Sequence, residues 1–218
     1  MCGAQDYKFD FGLSAPLYFR TAHAHEKLSN NWNLFGLIGL DGVLCVKGAE
    51  PGSMSFVLNA GITDDIRKFS VDYSTKLKTS LYFININPSV IIPSRWDHIR
   101  FCLGIGALIQ TGQKVALSRE TVSGGYSNVP DVDSVLKANG RGIMPFMSLG
   151  ISDDIGKHMR LELRVQPTLL NLYEPNTDMV FNYGNQYRSS SSILHLNYQP
   201  VYVGLKLFYF FKGNEQGM

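Results

Sequence analysis

Between Ile99 and Ile109 every second residue is apolar. Ile99, Phe101, Leu103, Ile105, Ala107 and Ile109 share one parity, while Arg100, Cys102, Gly104, Gly106 and Leu108 share the other. Successive side chains of a β-strand leave opposite faces, so this spacing gives one continuous apolar face and one small, polar face. A single strand of this kind fits any half-buried sheet. Here the period-two pattern recurs in eight stretches of roughly ten residues each, the length and patterning of barrel strands that face lipid on one side and a lumen on the other.

The first stretch runs from about Tyr7 to Phe19, with Tyr7, Phe9, Phe11, Leu13, Ala15 and Leu17 outward and Lys8, Asp10, Gly12 and Ser14 inward. The second, about Trp32 to Val46, turns Trp32, Leu34, Ile38, Leu40, Leu44 and Val46 outward and Asn33, Asp41 and Cys45 inward. The third (Ser53 to Ile62) and fourth (about Thr79 to Ile92) follow the same rule, as does the sixth (about Gly142 to Ile151). The seventh, His158 to Tyr173, opposes Met159, Leu161, Leu163, Val165 and Leu169 to Arg160, Glu162, Arg164, Gln166 and Thr168. The eighth spans about Ile193 to Phe211. Connections Lys47 to Gly52, Pro93 to Asp97 and Ser152 to Lys157 are short, and Thr21 to Asn31, Thr63 to Lys78, Gln113 to Arg141 and Glu174 to Ser192 are long and polar. An even-stranded barrel has both termini on one side, so short and long connections alternate as found, and the short ones fall on the periplasmic side. The expected fold is all-β: an eight-stranded antiparallel up-and-down transmembrane β-barrel over 6–212, with a residual signal or N-terminal tail at 1–5 and a periplasmic tail at 213–218.

Composition neither demands nor opposes this reading. Mean hydropathy is −0.04, and no window approaches the roughly 18 uninterrupted apolar residues of a spanning helix; a barrel escapes that test because half of each strand is polar. The formal charge of +2 gives no reason to expect nucleic acid. Cys2, Cys45 and Cys102 lack metal-site spacing, and no cofactor or metal site is indicated. Cys45 and Cys102 fall on inward faces as small packed thiols. Met1 to Gln5 resembles the end of a secretory signal with cleavage after Ala4, and Cys2 is alternatively a lipidated cysteine. Pro16, Pro88, Pro145, Pro167 and Pro200 fall inside strands, where each removes a ladder donor. In a barrel without edges they are expected at bulges, most visibly at Gln199-Pro200, where the apolar parity of the eighth stretch changes.

The inward charges form the candidate site: Lys8, Asp10, Asp41, Arg100, Arg160, Glu162, Arg164 and Lys206. The seventh, eighth and first strands are neighbours in a closed barrel, so Glu162, Lys206 and Asp10 are expected to interdigitate. Eight strands leave a lumen just wide enough for side chains to fill, which makes a charge-paired plug the expectation and an ion-conducting pore the alternative. Aromatic residues flank the apolar band as a girdle. Tyr18, Phe19, Trp32, Tyr82 and Tyr173 lie at the outer side, and Tyr7, Phe9, Trp96, Tyr209 and Phe211 at the inner.

From Tyr7 to Phe211 the chain resembles small outer-membrane barrels of the OmpA/OmpX type, and more closely the porin-family barrels of Bacteroidetes that include the PorT-like group. The final strand, Tyr202-Val203-Gly204-Leu205-Lys206-Leu207-Phe208-Tyr209-Phe210-Phe211, resembles the terminal signal read by the barrel-assembly machinery, although Lys212 to Met218 follow it. The resemblance implies a multi-pass barrel in the bacterial outer membrane, in contact with lipid and lipopolysaccharide, and leaves the activity open. Two families of small barrels modify lipid A. The acyltransferase type uses a His with an Asp-Ser pair, whereas here His23 and His25 lie in the first long connection and Asp72-Tyr73-Ser74 in the second. The deacylase type uses His-x-Ser, whereas His195-Leu196-Asn197 lacks the serine. His98 and His158 open strands at the periplasmic rim and need no function. The favoured expectation is a non-catalytic structural, scaffold or partner-binding protein acting through its long loops, especially Gln113 to Arg141. Alternatives are a lipid A-modifying enzyme, a subunit of a secretion or assembly complex, and a soluble calycin-like carrier.

Overall fold

A computed structural model of the chain describes residues 7–21, 36–48, 53–70, 75–96, 99–119, 142–170, 178–185, 188–195 and 200–211. Its strands are β1 (Tyr7–Thr21), β2 (Leu37–Gly48), β3 (Ser55–Ser70), β4 (Thr75–Pro93), β5 (Ile99–Arg119), β6 (Ile143–Asp154), β7 (Met159–Pro167), β8 (Asp178–Asn185), β9 (Arg188–His195) and β10 (Val201–Phe210). Eight of them form a closed barrel in the order β1-β10-β7-β6-β5-β4-β3-β2, every neighbouring pair antiparallel. Closure is made by β10 on β1, in register from Gly12↔Phe210 to Thr21↔Val201. β8 and β9 pair only with each other.

The period-two pattern sets which side chains face in. In β1, Asp10, Ser14 and Tyr18 are buried while Phe9, Phe11, Leu13, Leu17 and Phe19 are exposed. The same alternation puts Leu40, Phe56, Ile84, Leu103, Leu149, Leu163 and Leu205 on the outside of β2, β3, β4, β5, β6, β7 and β10. An exposed apolar side chain on every barrel strand inverts the arrangement of a soluble barrel, which turns such residues inward. The short connections are tight. Ser94 N donates to Ile99 O and Ile155 N to Met159 O, and Gly156 takes φ 85°, a backbone state open to glycine.

The eighth stretch is not one strand. Ile193, Leu194 and His195 pair with Val180, Met179 and Asp178 in the β8–β9 hairpin, and the barrel strand starts only at Val201. The two parities of this stretch therefore belong to two sheets; Gln199 of the expected bulge at Gln199-Pro200 lies outside the described residues. Pro200 anchors the new strand, its carbonyl accepting from Thr168 N and Thr168 Oγ1.

The other prolines do not sit at bulges. β1–β2 pairing skips Ala15 and Pro16, yet Ser14↔Asp41 and Leu17↔Ile38 keep one register. β4–β5 pairing likewise skips Asn87 and Pro88 between Ile86↔Ala107 and Ser89↔Gly104. In an antiparallel ladder a residue's N–H points to one neighbour only, so proline breaks one side of the ladder and leaves the other paired, Pro16 with Lys206 and Pro88 with Leu58. A register shift does occur at Tyr82/Phe83, where Gly112 and Gln110 are the partners and Thr111 is the extra residue. Its hydroxyl donates to Tyr82 O.

Three strands are longer than the sequence pattern suggests. β3 continues to Ser70 and β4 starts at Thr75, so most of the expected connection Thr63 to Lys78 is strand; β5 takes Gln113 to Arg119 from the next one. The connection Glu174 to Ser192 contains the β8–β9 hairpin. The connection Thr21 to Asn31 beyond Thr21, the segment 120–141 and both terminal tails lie outside the described residues.

Candidate functional site

The barrel interior holds the charged groups in tiers. At the short-connection rim, Asp10 on β1 accepts from Lys47 on β2 at 2.6 Å. Nearby, Asp154 at the end of β6 bridges two guanidiniums, Arg100 at 2.6 Å and Arg160 Nε at 2.7 Å. Lys47 shares its parity with Asp41 and Cys45, and Asp154 with Ser152, so alternation alone directs both inward. Their position beside the turns assigned them to connections and hid them from the sequence reading.

Above this rim lies an apolar cluster of Val43, Cys45, Val57, Ile91, Cys102, Phe208 and Phe210. Phe208 and Phe210, successive inward residues of β10, stack at 6.2 Å. Cations cover both ends of the pair: Arg160 and Lys47 lie 5.4 and 5.8 Å from the Phe210 ring and Lys206 lies 5.3 Å from Phe208. Such contacts add modest attraction in a desolvated setting. The thiols of Cys45 and Cys102 are free, and Cys102 Sγ donates to Ser152 Oγ at 3.4 Å.

The central tier contains the most deeply buried ions. Lys206 Nζ is 2.6 Å from Asp41 Oδ2, and Asn85 Nδ2 donates to both Asp41 oxygens at 3.3 and 3.4 Å. Arg164 forms a two-point contact with Glu162, Nε to Oε1 at 2.6 Å and Nη2 to Oε2 at 3.0 Å. With the Asn87 amide oriented to satisfy both its atoms, Arg164 Nη1 also donates to Asn87 Oδ1. Glycine makes room for these groups. A Cβ at Gly150 would lie 2.5 Å from Glu162 Oε1, and one at Gly61 would lie 2.6 Å from Asp41 Oδ1. Toward the long-connection side, Asp65 accepts from Arg20 at 3.2 Å and from the Tyr202 hydroxyl at 3.0 Å.

The expected network is thus redrawn in its pairing. Lys8 is exposed at the start of β1 and does not reach the interior. Glu162 and Lys206 are cross-strand partners, but Glu162 pairs with Arg164 on its own strand while the long arm of Lys206 reaches Asp41 on β2. Asp10 sits a tier lower with Lys47. Arg20, Lys47, Asp65 and Asp154 join the interior ions, while Arg100, Arg160, Arg164 and Asp41 occupy it as described above.

Among the aromatic positions, Tyr7, Phe9, Phe19, Tyr82, Trp96, Tyr209 and Phe211 are exposed. Tyr18 is not part of that ring: its even parity in β1 buries it in the interior at 2% exposure. Trp32 and Tyr173 lie outside the described residues. At the inner rim His158 stacks on Tyr209 at 5.9 Å and donates from Nδ1 to the Phe210 carbonyl at 3.0 Å.

Every interior carboxylate named here is engaged by a cation or a hydrogen-bond donor. Among the described residues no group of three His, Cys, Asp or Glu side chains is placed to hold a metal. His23, His25, His98, Asp72, Tyr73 and Ser74, the residues tested for lipid chemistry or placed at strand starts, lie outside the described residues, as do Leu196 and Asn197.

No protein-family model matches the chain, and no curated protein matches its sequence. Among solved structures, the outer membrane protein OprG from Pseudomonas aeruginosa is similar at a TM-score of 0.37 and 9% identity, over 94% of this chain and 96% of that one.

Proposed function

We propose that this chain is a non-catalytic integral protein of the bacterial outer membrane whose interior is closed to solutes and whose action lies in its long connections, as a structural, scaffold or partner-binding protein. The observation that carries the reading is the pairing of two surfaces: exposed apolar side chains on all eight barrel strands, from Phe11 to Leu207, around an interior of paired ions and stacked aromatics. An apolar exterior of this extent far exceeds what a soluble monomer exposes and matches the outward band of a membrane barrel. A soluble carrier requires the opposite arrangement, with apolar residues lining the cavity. Lipid and lipopolysaccharide are then the constant surroundings, the barrel-assembly machinery is the insertion partner, and a protein partner meets the long-connection side, including as a subunit of a larger envelope complex.

Planar-bilayer recording tests the closed interior. Purified protein is expected to insert without steady conductance steps, because the central ions occupy the lumen and lose their partners if a solute passes. A reproducible open channel would make the protein a pore. Co-purification from native membranes, with and without residues 120–141, tests the partner role: a partner lost on deletion supports it, and identical recovery in both preparations removes that segment from the proposal.

A further inference from the structure

Above the short-connection rim the interior ions stand in pairs; at the rim they do not. Lys206 meets Asp41, Arg164 meets Glu162 and Arg20 meets Asp65. At the rim, among the described residues, three inward cations, Lys47, Arg100 and Arg160, stand against two inward acids, Asp10 and Asp154. Lys8, exposed, is the ladder partner of Lys47, and Asp153 has the outward parity. The three inward cations converge. Arg100 and Arg160 hold the same carboxylate, Asp154, and Arg160 and Lys47 lie against the same ring, Phe210. The charges of all three, with that of Asp10, bear on the buried thiol of Cys45.

Arg160 supplies a second, independent observation. It is 2% exposed, its Nε is taken by Asp154, and its Nη1 has no hydrogen-bond partner. A charged donor held out of water without an acceptor is destabilising, and an uncompensated positive charge in a narrow lumen is more so. Both defects fall in the same tier, and one negative charge placed there relieves both. The tier is open to solvent: the side chains of Lys47 and Asp10 are 13 and 12% exposed, and those of Arg100 and Asp154 are 17 and 18% exposed. A small ion arriving from the short-connection side therefore meets partly exposed cations before it meets Arg160.

We propose that the short-connection end of the lumen binds one small monovalent anion, a halide or the carboxylate of a short-chain acid, with Arg160 Nη1 as its inner donor and Lys47 and Arg100 supplying the surrounding field. A single negative charge matches the single excess positive charge, whereas a dianion overcompensates it. The inference goes beyond the reading above. It places a ligand at the end of the barrel remote from the long connections, and it holds whatever those connections meet.

The test is chloride NMR on the whole chain, folded in uncharged detergent, with detergent micelles as the blank. The wild type is expected to broaden the chloride line beyond the blank, and sodium gluconate, a bulky anion, should not reverse the effect. Reversal by sodium formate extends the site to carboxylates, and persistence in formate assigns it to halide. Arg160→Lys keeps a charge beside Asp154 and removes Nη1. It is expected to weaken chloride affinity by at least about tenfold, the worth of one hydrogen bond to a charged group. Lys157→Gln removes a cation from an exposed short turn and leaves the affinity unchanged. No broadening beyond the blank, the same affinity in Arg160→Lys as in the wild type, or reversal by gluconate overturns the proposal. A second measurement decides the case if Arg160→Lys does not fold. Crystals of the wild type grown in bromide should show anomalous density within hydrogen-bonding distance of Arg160 Nη1, and bromide found only on the outer surface overturns the proposal equally.

Discussion

The Glu162–Arg164 pair shows what an ion contributes inside so narrow a barrel. Removing two charges from water costs several kcal/mol each, so the intact pair adds little net stability, but removing one partner strands the other. Glu162→Ala is expected to destabilise the protein in detergent by about 3–5 kcal/mol, read from thermal or denaturant unfolding of the folded band. Lys8→Ala, at an exposed position, should stay within about 0.5 kcal/mol of the parent; equal effects at the two sites would contradict the burial described here. Gly150→Ala places a methyl group against Glu162 Oε1 and the Leu163 carbonyl, and overpacking of this kind costs about 1–3 kcal/mol. Alternation made the inward position of Asp41, Glu162 and Lys206 legible in the sequence. Their partners were not legible, because pairing depends on the length of each side chain and the stagger of strands across the lumen: Lys206 passes over β1 to reach Asp41, and no local pattern encodes that reach.

At the scale of the element, period two located each barrel strand but misjudged where several end. β3, β4 and β5 lose their regular outward apolar alternation above Ile62, Tyr82 and Ile109, and a segment without it reads as a connection although its ladder continues. β4 and β5 reach 19 and 21 residues, about twice the 9–11 that span a bilayer. Ile193 to His195 erred the other way, since their alternation belongs to a hairpin outside the barrel. The prolines misled because a missing donor was equated with a bulge, whereas it opens one side of the ladder without moving the register. Pro88→Ala should therefore leave register and fold unchanged, with stability within about 1 kcal/mol of the parent. Deleting Thr111 should also preserve the pairing: Gln110 and Gly112 already face the consecutive residues Phe83 and Tyr82, so losing the extra residue between them joins the two parts of the ladder without a shift. Hydrogen exchange is expected to keep 99–109 and 113–119 protected, and loss of protection at 113–119 would mean that the bulge is needed to hold the upper ladder.

For the whole molecule, closure of β10 on β1 turns alternating strands into two surfaces of opposite character, and the tight turns at Ser94–Trp96 and Ile155–His158 mark one end while the tall β3–β5 wall marks the other. This polarity fixes an orientation. In a Cys2→Ser background, with Cys45 and Cys102 buried, cysteine at Lys114 should react with an impermeant maleimide on intact cells and cysteine at Lys157 should not; the reverse labelling inverts the barrel. If the apolar exterior is a lipid contact, the refolded protein floats with phospholipid vesicles after an alkaline wash. Protein is expected in the lipid fraction, migrating differently on a denaturing gel before and after boiling. Protein that stays in the aqueous fraction, folded and monodisperse with neither lipid nor detergent, would contradict it.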